Sequence, residues 1–80
     1  MSARIDIGFA PAEGAVLRML GLVERRGFAL RAVAMSEAEG VLSIDVEPRD
    51  AGRRLDVIAA QLRRLAEVRT VTTHEQGHSR

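Results

Sequence analysis

Residues 14–35 read GAVLRMLGLVERRGFALRAVAM. The stretch begins with Gly14, continues with apolar residues at helical spacing, and reaches Gly27 directly after two arginines. Glycine after a basic last turn is typical of a helix end. Another apolar run follows at once. The stretch therefore predicts a helix that leads directly into a strand.

The predicted first helix spans residues 13–26. We expect its buried face to contain Val16, Leu17, Leu20 and Val23, with Met19 at the edge of that face. Glu13 is predicted near the helix N-terminus, where its charge would complement the dipole. Gly21 costs roughly 1 kcal/mol relative to alanine inside a helix. It indicates either close packing of the helix on a sheet or a tolerated defect.

Three strands are predicted around this helix. Residues 4–10 alternate between apolar and polar side chains, which indicates a strand with one buried face. Residues 29–36 and 41–47 are predicted strands, and the second alternates more clearly than the first. The short polar turn at 37–40 ends in glycine. The two strands are therefore predicted to form an antiparallel hairpin.

A second helix and a last strand complete the chain. Asp50 is the predicted N-cap of a helix that ends near Ala66. Its apolar face contains Leu55, Ile58, Ala59, Leu62 and Leu65. Residues 68–74 are rich in valine and threonine and predict a strand. We expect one domain over residues 1–75 and a flexible C-terminal tail over 76–80.

The predicted order βαββαβ defines the fold class. It is α+β and ferredoxin-like, with a four-stranded antiparallel sheet and both helices on one face. The opposite face would then expose Asp6, Gly8, Ser43, Asp45 and either Thr70 or Thr72. Because such a sheet has unpaired edge strands that can pair with another chain, we expect a homodimer.

Composition excludes several functional classes. The chain has 80 residues and no cysteine, so disulfides and thiolate metal sites are not available. Twelve basic residues, all arginine, balance 11 acidic ones, which gives no general attraction to nucleic acid or membranes. No apolar run is long enough to cross a bilayer, and the N-terminus does not resemble a signal peptide. We expect a cytoplasmic protein.

Catalytic and metal-binding patterns are weak. His74 and His78 have the i, i+4 spacing of metal ligands, but no third ligand is near in sequence. The serines lack the flanking glycines of a nucleophile elbow. Asp45 and Glu47 are two residues apart on one strand face, where exposed acids are common. We therefore predict no catalytic residue and no metal site in this chain.

Two domain classes share the predicted element order. RNA-recognition domains stack bases on strand aromatics, whereas this chain offers Ser43, Asp45, Ala32 and Ala34 and contains only two aromatic residues. Copper-chaperone domains need a Cys-x-x-Cys loop after the first strand, and no cysteine is present. Neither class fits, so we expect no nucleic acid partner.

The loop after the first strand offers a different kind of site. Pro11 breaks the strand, and Ala12, Glu13, Gly14 and Ala15 lead into the helix. A glycine-opened junction of this kind can hold a small ligand against backbone amides.

Two blocks of sequence resemble a known family. The first block contains Gly-Ala-Val at 14–16, Gly-Leu-Val at 21–23 and Arg-Gly-Phe at 26–28. The second block is QLRRLAEVRTV at 61–71. Both blocks resemble the ACT domain, and more narrowly the small regulatory subunit of acetolactate synthase (acetohydroxyacid synthase). The resemblance extends over about residues 4–74.

The resemblance implies a regulatory role rather than catalysis. By its length the chain resembles the short, isozyme II type, a lone ACT domain. Such a subunit activates a large catalytic subunit in branched-chain amino acid biosynthesis. Thiamine diphosphate, magnesium and FAD would belong to the large subunit, so no cofactor is expected in this chain. The alternative is a free-standing ACT module that binds a small amino acid or regulates another metabolic enzyme.

The resemblance also implies an effector region at the loop and a dimer interface. On this chain the region contains Pro11, Ala12, Glu13, Gly14, Ala15, Ala29 and Leu30. Valine-sensitive relatives have asparagine at the positions of Pro11 and Ala29. Neither residue here has a polar side chain, and proline also lacks a backbone N–H. We therefore predict weak or absent valine binding.

Overall fold

The computed structural model describes residues 2–50 and 54–76. Its elements are β1 (Ser2–Phe9), α1 (Ala15–Arg25), β2 (Phe28–Ser36), β3 (Val41–Pro48), α2 (Leu55–Leu62) and β4 (Val68–Gln76). The predicted order βαββαβ is confirmed.

The four strands form one antiparallel sheet in the order β2-β3-β1-β4. β1 is central, and its Ile5 lies opposite Ile44 of β3, while its Ile7 lies opposite Val71 of β4. Both helices cover the face that carries these side chains. The ferredoxin-like fold is therefore confirmed, and β2 and β4 are its edges.

The core is built from the alternating residues of the strands and one stripe of each helix. The strands contribute Ala3, Ile5, Ile7, Phe9, Phe28, Leu42, Ile44, Val46 and Val71. The helices contribute Ala15, Met19, Val23, Ile58, Ala59 and Leu62. Burying each large apolar side chain stabilises the fold by about 1.5–3 kcal/mol. Among the described residues, no polar or charged residue is buried.

The predicted buried face of α1 is confirmed at Val16, Leu20 and Val23 but is wrong at Leu17 and Met19. Met19 is fully buried, whereas Leu17 is 76% exposed. Two residues turn a helix by about 200°, so these two side chains point in nearly opposite directions. Gly21 does not pack closely on the sheet, because a Cβ there would contact only the guanidinium of Arg25, at 3.1 Å. Gly21 is therefore a tolerated defect.

Glycines define both ends of α1. Gly14 is the N-cap, with a left-handed backbone at φ 76°. Gly27 follows the C-cap Arg26 and has φ 93°, as expected of a helix end. The helix begins at Ala15 rather than at the predicted residue 13, so Glu13 lies directly before the N-cap, near the helix N-terminus as predicted but outside the first turn.

The predicted start and end of α2 are also wrong. Its N-cap is Arg54, not Asp50, and residues 51–53 are outside the described part of the chain. The helix ends at Leu62, and the chain then turns into β4. In this turn the Val68 amide donates a hydrogen bond to the Leu65 carbonyl at 3.0 Å. The predicted apolar face is confirmed: Ile58, Ala59 and Leu62 are buried, with Leu55 and Leu65 packed against the core.

The C-terminal strand is longer than predicted. β4 continues through Gln76, which was predicted to begin the tail. The rest of that tail, residues 77–80, lies outside the described residues.

Candidate functional site

The open face of the sheet carries a polar cluster across three strands. The register of β1 with β3 and β4 aligns Arg4 with Asp45 and His74, and it aligns Asp6 with Ser43 and Thr72. Gly8 lies opposite Thr70. The predicted open face is confirmed, with both threonines on it.

Asp6 is the centre of this cluster. Its Oδ2 lies 3.1 Å from His74 Nε2, and its Oδ1 lies 3.3 Å from Arg4 Nε. His74, which the sequence offered only as a weak candidate for a metal ligand, is half-buried and paired with Asp6. The pairing follows from the register of β1 with β4. That register could not be predicted from the sequence alone.

The cluster lacks the geometry of a catalytic triad. Ser43 is on β3 and His74 is on β4, with β1 between them. Two strand spacings, about 10 Å, therefore separate the serine from the base that would activate it. Within residues 2–50 and 54–76, no three His, Asp or Glu side chains are placed to hold a metal ion. The cluster is suited to ion pairing across the sheet.

A groove of about 410 Å³ lies beside the loop that joins β1 to α1. Its lining contains Phe9, Pro11, Ala12, Glu13, Val16, Met35 and Glu37. Three of the predicted effector residues, Pro11, Ala12 and Glu13, thus line one groove. Gly14 and Ala15 follow them directly, the first exposed and the second buried.

Two backbone hydrogen bonds fix the chain at this groove. The amide of Phe9 donates to the carbonyl of Gly40 at 2.8 Å, and the amide of Ala10 donates to the carbonyl of Glu67 at 2.8 Å. The first bond ties β1 to the turn between β2 and β3, and the second ties it to the connection between α2 and β4. The end of β1 beside the groove is therefore held to both of these segments.

An ion pair holds α1 against the same connection. Arg18 Nε donates to Glu67 Oε2 at 2.8 Å, and the Glu67 side chain is only 10% exposed. The hydrogen bond from Arg18 lowers the pKa of the Glu67 carboxyl, and a hydrogen bond from its own backbone amide adds to the effect. Glu67 is therefore ionised at neutral pH.

The groove combines an apolar floor with two acidic side chains. Phe9, Val16 and Met35 supply apolar surface, and Glu13 and Glu37 supply carboxylates. Small-molecule sites in proteins are typically apolar with a few polar groups that fix orientation. This groove suits a small ligand, or a side chain of a partner, with an apolar body and a cationic group. Sequence reasoning missed Met35 and Glu37, because only the hairpin brings them to the loop.

The structure does not bring Ala29 and Leu30 to this groove within one chain. Leu30 lies opposite Val46, which in turn lies opposite Ala3 at the start of β1. Phe9 is six residues further along β1, and a strand rises about 3.3 Å per residue. About 20 Å of sheet therefore separates the two parts of the predicted effector region.

In the part of the chain that the structure describes, neither helix is long and apolar enough to span a membrane.

Comparison with solved structures finds the same fold in other proteins. The chain is similar to the crystal structure of the ACT domain from GTP pyrophosphokinase of Chlorobium tepidum, with a TM-score of 0.74 and 17% identity, covering 91% of this chain and 96% of that one. The solution NMR structure of the same domain gives a TM-score of 0.70 and 16% identity, covering 100% of this chain and 92% of that one. At such identities the likeness establishes the fold alone. A search of curated proteins found no match.

A sequence model described as the ACT domain matches residues 11–71, which is more than half of the chain. ACT domains are regulatory, non-catalytic modules. The matched region contains the glycine-led loop, both helices and the hairpin. The chain therefore belongs to the ACT domain family.

Proposed function

We propose that this ACT domain is the non-catalytic, activating small subunit of acetolactate synthase, acting in the cytoplasm in branched-chain amino acid biosynthesis. One contact supports this proposal. The two sequence blocks that resemble the small subunit are distant in the chain, yet Arg18 from the first forms an ion pair with Glu67 from the second at 2.8 Å. The two resembling blocks are thus in contact in the folded chain.

The chemistry would reside on the large subunit. Thiamine diphosphate, magnesium and FAD are expected there, and the small subunit would act through protein contact. Ser43 lies about two strand spacings from His74, the base that would have to activate it. The cluster of Arg4, Asp6 and His74 is therefore better suited to ion pairing than to catalysis.

We also propose that the chain forms a homodimer and does not respond to valine. β2 and β4 each have one unpaired edge, which favours pairing with a second chain. Pro11 lines the groove without an amide side chain, and Ala29 supplies no polar group. Leaving two polar groups of a ligand unpaired would cost about 1–3 kcal/mol each.

Titration of the purified chain into the large catalytic subunit tests the proposal. The expected result is a saturable rise in the rate of acetolactate formation. The ACT domain of GTP pyrophosphokinase is a matched control, because it has the same fold and should have no effect. An unchanged rate at saturating small protein would contradict the assignment.

The second candidate is a free-standing ACT module that binds a small amino acid or serves another enzyme. The groove favours it, because Glu13 and Glu37 could accept the ammonium of an amino acid whose side chain packs on Val16 and Met35. A thermal-shift screen over the twenty amino acids would separate the two. A strong shift with no effect on the large subunit would favour this second function.

A further inference from the structure

The outer edge of β4 carries backbone groups that pair with no other strand of the sheet. β4 is the last strand in the sheet order, and β1 is its neighbour on one side only. Its nine residues, VRTVTTHEQ, are rich in valine and threonine and contain neither proline nor glycine. Such residues favour strands, and an edge strand with unpaired N–H and C=O groups can pair with another chain. This edge therefore needs protection if the protein is to avoid association there.

Two hydrogen bonds at the end of β1 show toward which neighbour each of its residues bonds. The Phe9 amide donates to the carbonyl of Gly40, on the β3 side, and the Ala10 amide donates to the carbonyl of Glu67, on the β4 side. In a strand with antiparallel neighbours on both sides, successive residues direct their N–H and C=O groups to alternate sides. Ile7, two residues before Phe9, therefore bonds toward β3 and not toward β4.

Val71 of β4 lies opposite Ile7. Because Ile7 bonds toward β3, the two residues form a non-hydrogen-bonded pair of the β1–β4 ladder. The N–H and C=O groups of Val71 therefore point away from β1, to the outer edge of the sheet. An incoming strand would form its hydrogen bonds with these groups.

The outward carbonyl of Val71 already accepts a hydrogen bond. Arg63 Nη2 donates to it at 3.0 Å, and the bond is partly buried. Arg63 is the C-cap of α2, so its side chain extends from the helix layer to the strand edge. A guanidinium is always charged, and its hydrogen bonds are stronger than those between neutral groups. A pairing strand would have to displace this bond and cover the charge, which is costly.

We propose that Arg63 closes the β4 edge and prevents other chains from adding to the sheet there. The guanidinium takes the hydrogen bond that an incoming N–H would donate to Val71, near the middle of the strand. Charged side chains at sheet edges are one means by which natural proteins avoid such pairing. A sheet that can pair at only one edge forms closed pairs, whereas a sheet with two available edges can extend without limit. Arg63 thus limits how far the homodimer proposed above can assemble.

Arg64 provides a matched comparison in the same turn. Arg63 and Arg64 are both exposed and directly follow α2. Of these two residues, only Arg63 forms a side-chain hydrogen bond to a β4 carbonyl in the part of the chain that the structure describes. Replacing either arginine with alanine removes the same charge. A difference between the two variants therefore reports the contact with Val71 rather than the net charge.

Sedimentation velocity over a range of protein concentrations tests the proposal. We expect the mean mass of Arg63→Ala to rise with concentration to at least about twice that of the wild type, because a second edge becomes available. Arg64→Ala should follow the wild type. Arg63→Lys should also stay near the wild type, since an ammonium can donate to the same carbonyl and keeps the charge.

A second substitution identifies the edge through which the variant associates. Thr73 lies two residues after Val71, so its N–H also points outward. Proline is tolerated on an edge strand where the N–H faces solvent, and Thr73→Pro removes one donor that an incoming strand would need. Adding Thr73→Pro to Arg63→Ala should return the mean mass to that of the wild type. Aggregation of a misfolded chain would instead persist in this double variant.

Equal association of Arg63→Ala and Arg64→Ala would overturn the proposal. So would an Arg63→Ala chain with the mass of the wild type, or association that persists in the double variant. These measurements use the purified chain alone and do not involve the large subunit. The activation assay for the proposed function can therefore fail or succeed independently of them.

Discussion

Gly40 and Phe9 are in contact through their backbones: the Phe9 amide donates to the Gly40 carbonyl, and a Cβ added to Gly40 would lie 2.6 Å from the Phe9 carbonyl oxygen. Gly40 also has φ 68°, which L side chains rarely adopt. We therefore predict that Gly40→Ala lowers the free energy of unfolding by about 2–3 kcal/mol. Urea denaturation followed by circular dichroism measures this loss.

Gly21→Ala is the control for this substitution. A Cβ at Gly21 would contact only the flexible Arg25 guanidinium, and alanine is the better helix former. The variant should match the wild type or gain up to about 1 kcal/mol. Equal stability of both alanine variants would mean that the contact at Gly40 is not tight.

Met19 and Leu17 provide a test of the orientation of α1. Met19 is fully buried, so Met19→Ala should cost about 2–4 kcal/mol in unfolding free energy. Leu17 is mostly exposed, so Leu17→Ala should change it by less than about 0.5 kcal/mol. The same denaturation experiment compares them. A larger loss at Leu17 than at Met19 would contradict the observed helix orientation.

The Arg18–Glu67 ion pair should make stability depend on acid pH. Because the pKa of Glu67 is lowered in the folded state, its contribution is present above the ordinary value of 4.5 and is lost as pH falls through the folded pKa. We predict that Glu67→Gln is less stable than the wild type at pH 7 and that the difference shrinks below pH 4.5. Denaturation curves at several pH values measure this.

Glu24→Gln is the control for the acid prediction, since Glu24 is exposed on α1 and forms no ion pair with the described residues. Its unfolding free energy should follow that of the wild type across the pH range. A difference for Glu67→Gln that stays constant with pH would show that the ion pair is not the cause.

Valine binding should be absent in this chain and recoverable by substitution. Isothermal titration calorimetry of the wild type should show no micromolar valine affinity. The double variant Pro11→Asn, Ala29→Asn supplies two amide groups, each able to form a hydrogen bond worth about 1 kcal/mol net. It should bind valine more tightly than either single variant. Micromolar affinity in the wild type would contradict the prediction.

The fold was predictable because the strands alternate clearly. Ile5 and Ile7 share one face, and Leu42 and Ile44 do the same, so element type and order followed directly from the pattern. The orientation of α1 was not predictable in the same way. The first half of α1 is apolar on more than one side, at Ala15, Val16, Leu17, Met19 and Leu20. Two helix faces are therefore apolar enough to be buried, and packing on the sheet determines which one is.

The site was only partly predictable. Pro11, Ala12 and Glu13 are consecutive, and local sequence placed them at one loop. Met35 and Glu37 reach the groove only because the hairpin register brings them there, and His74 reaches Asp6 by the register of β4. Single-sequence patterns give element types but not the pairing of distant strands.

Phe9 and Ala10 are consecutive, yet their amides are anchored to opposite neighbours, one to the turn before β3 and the other to the connection before β4. A molecule that displaces this dipeptide must strain one anchor or move both neighbours together. Through their backbones, Phe9 and Ala10 thus connect the turn between β2 and β3 to the connection between α2 and β4.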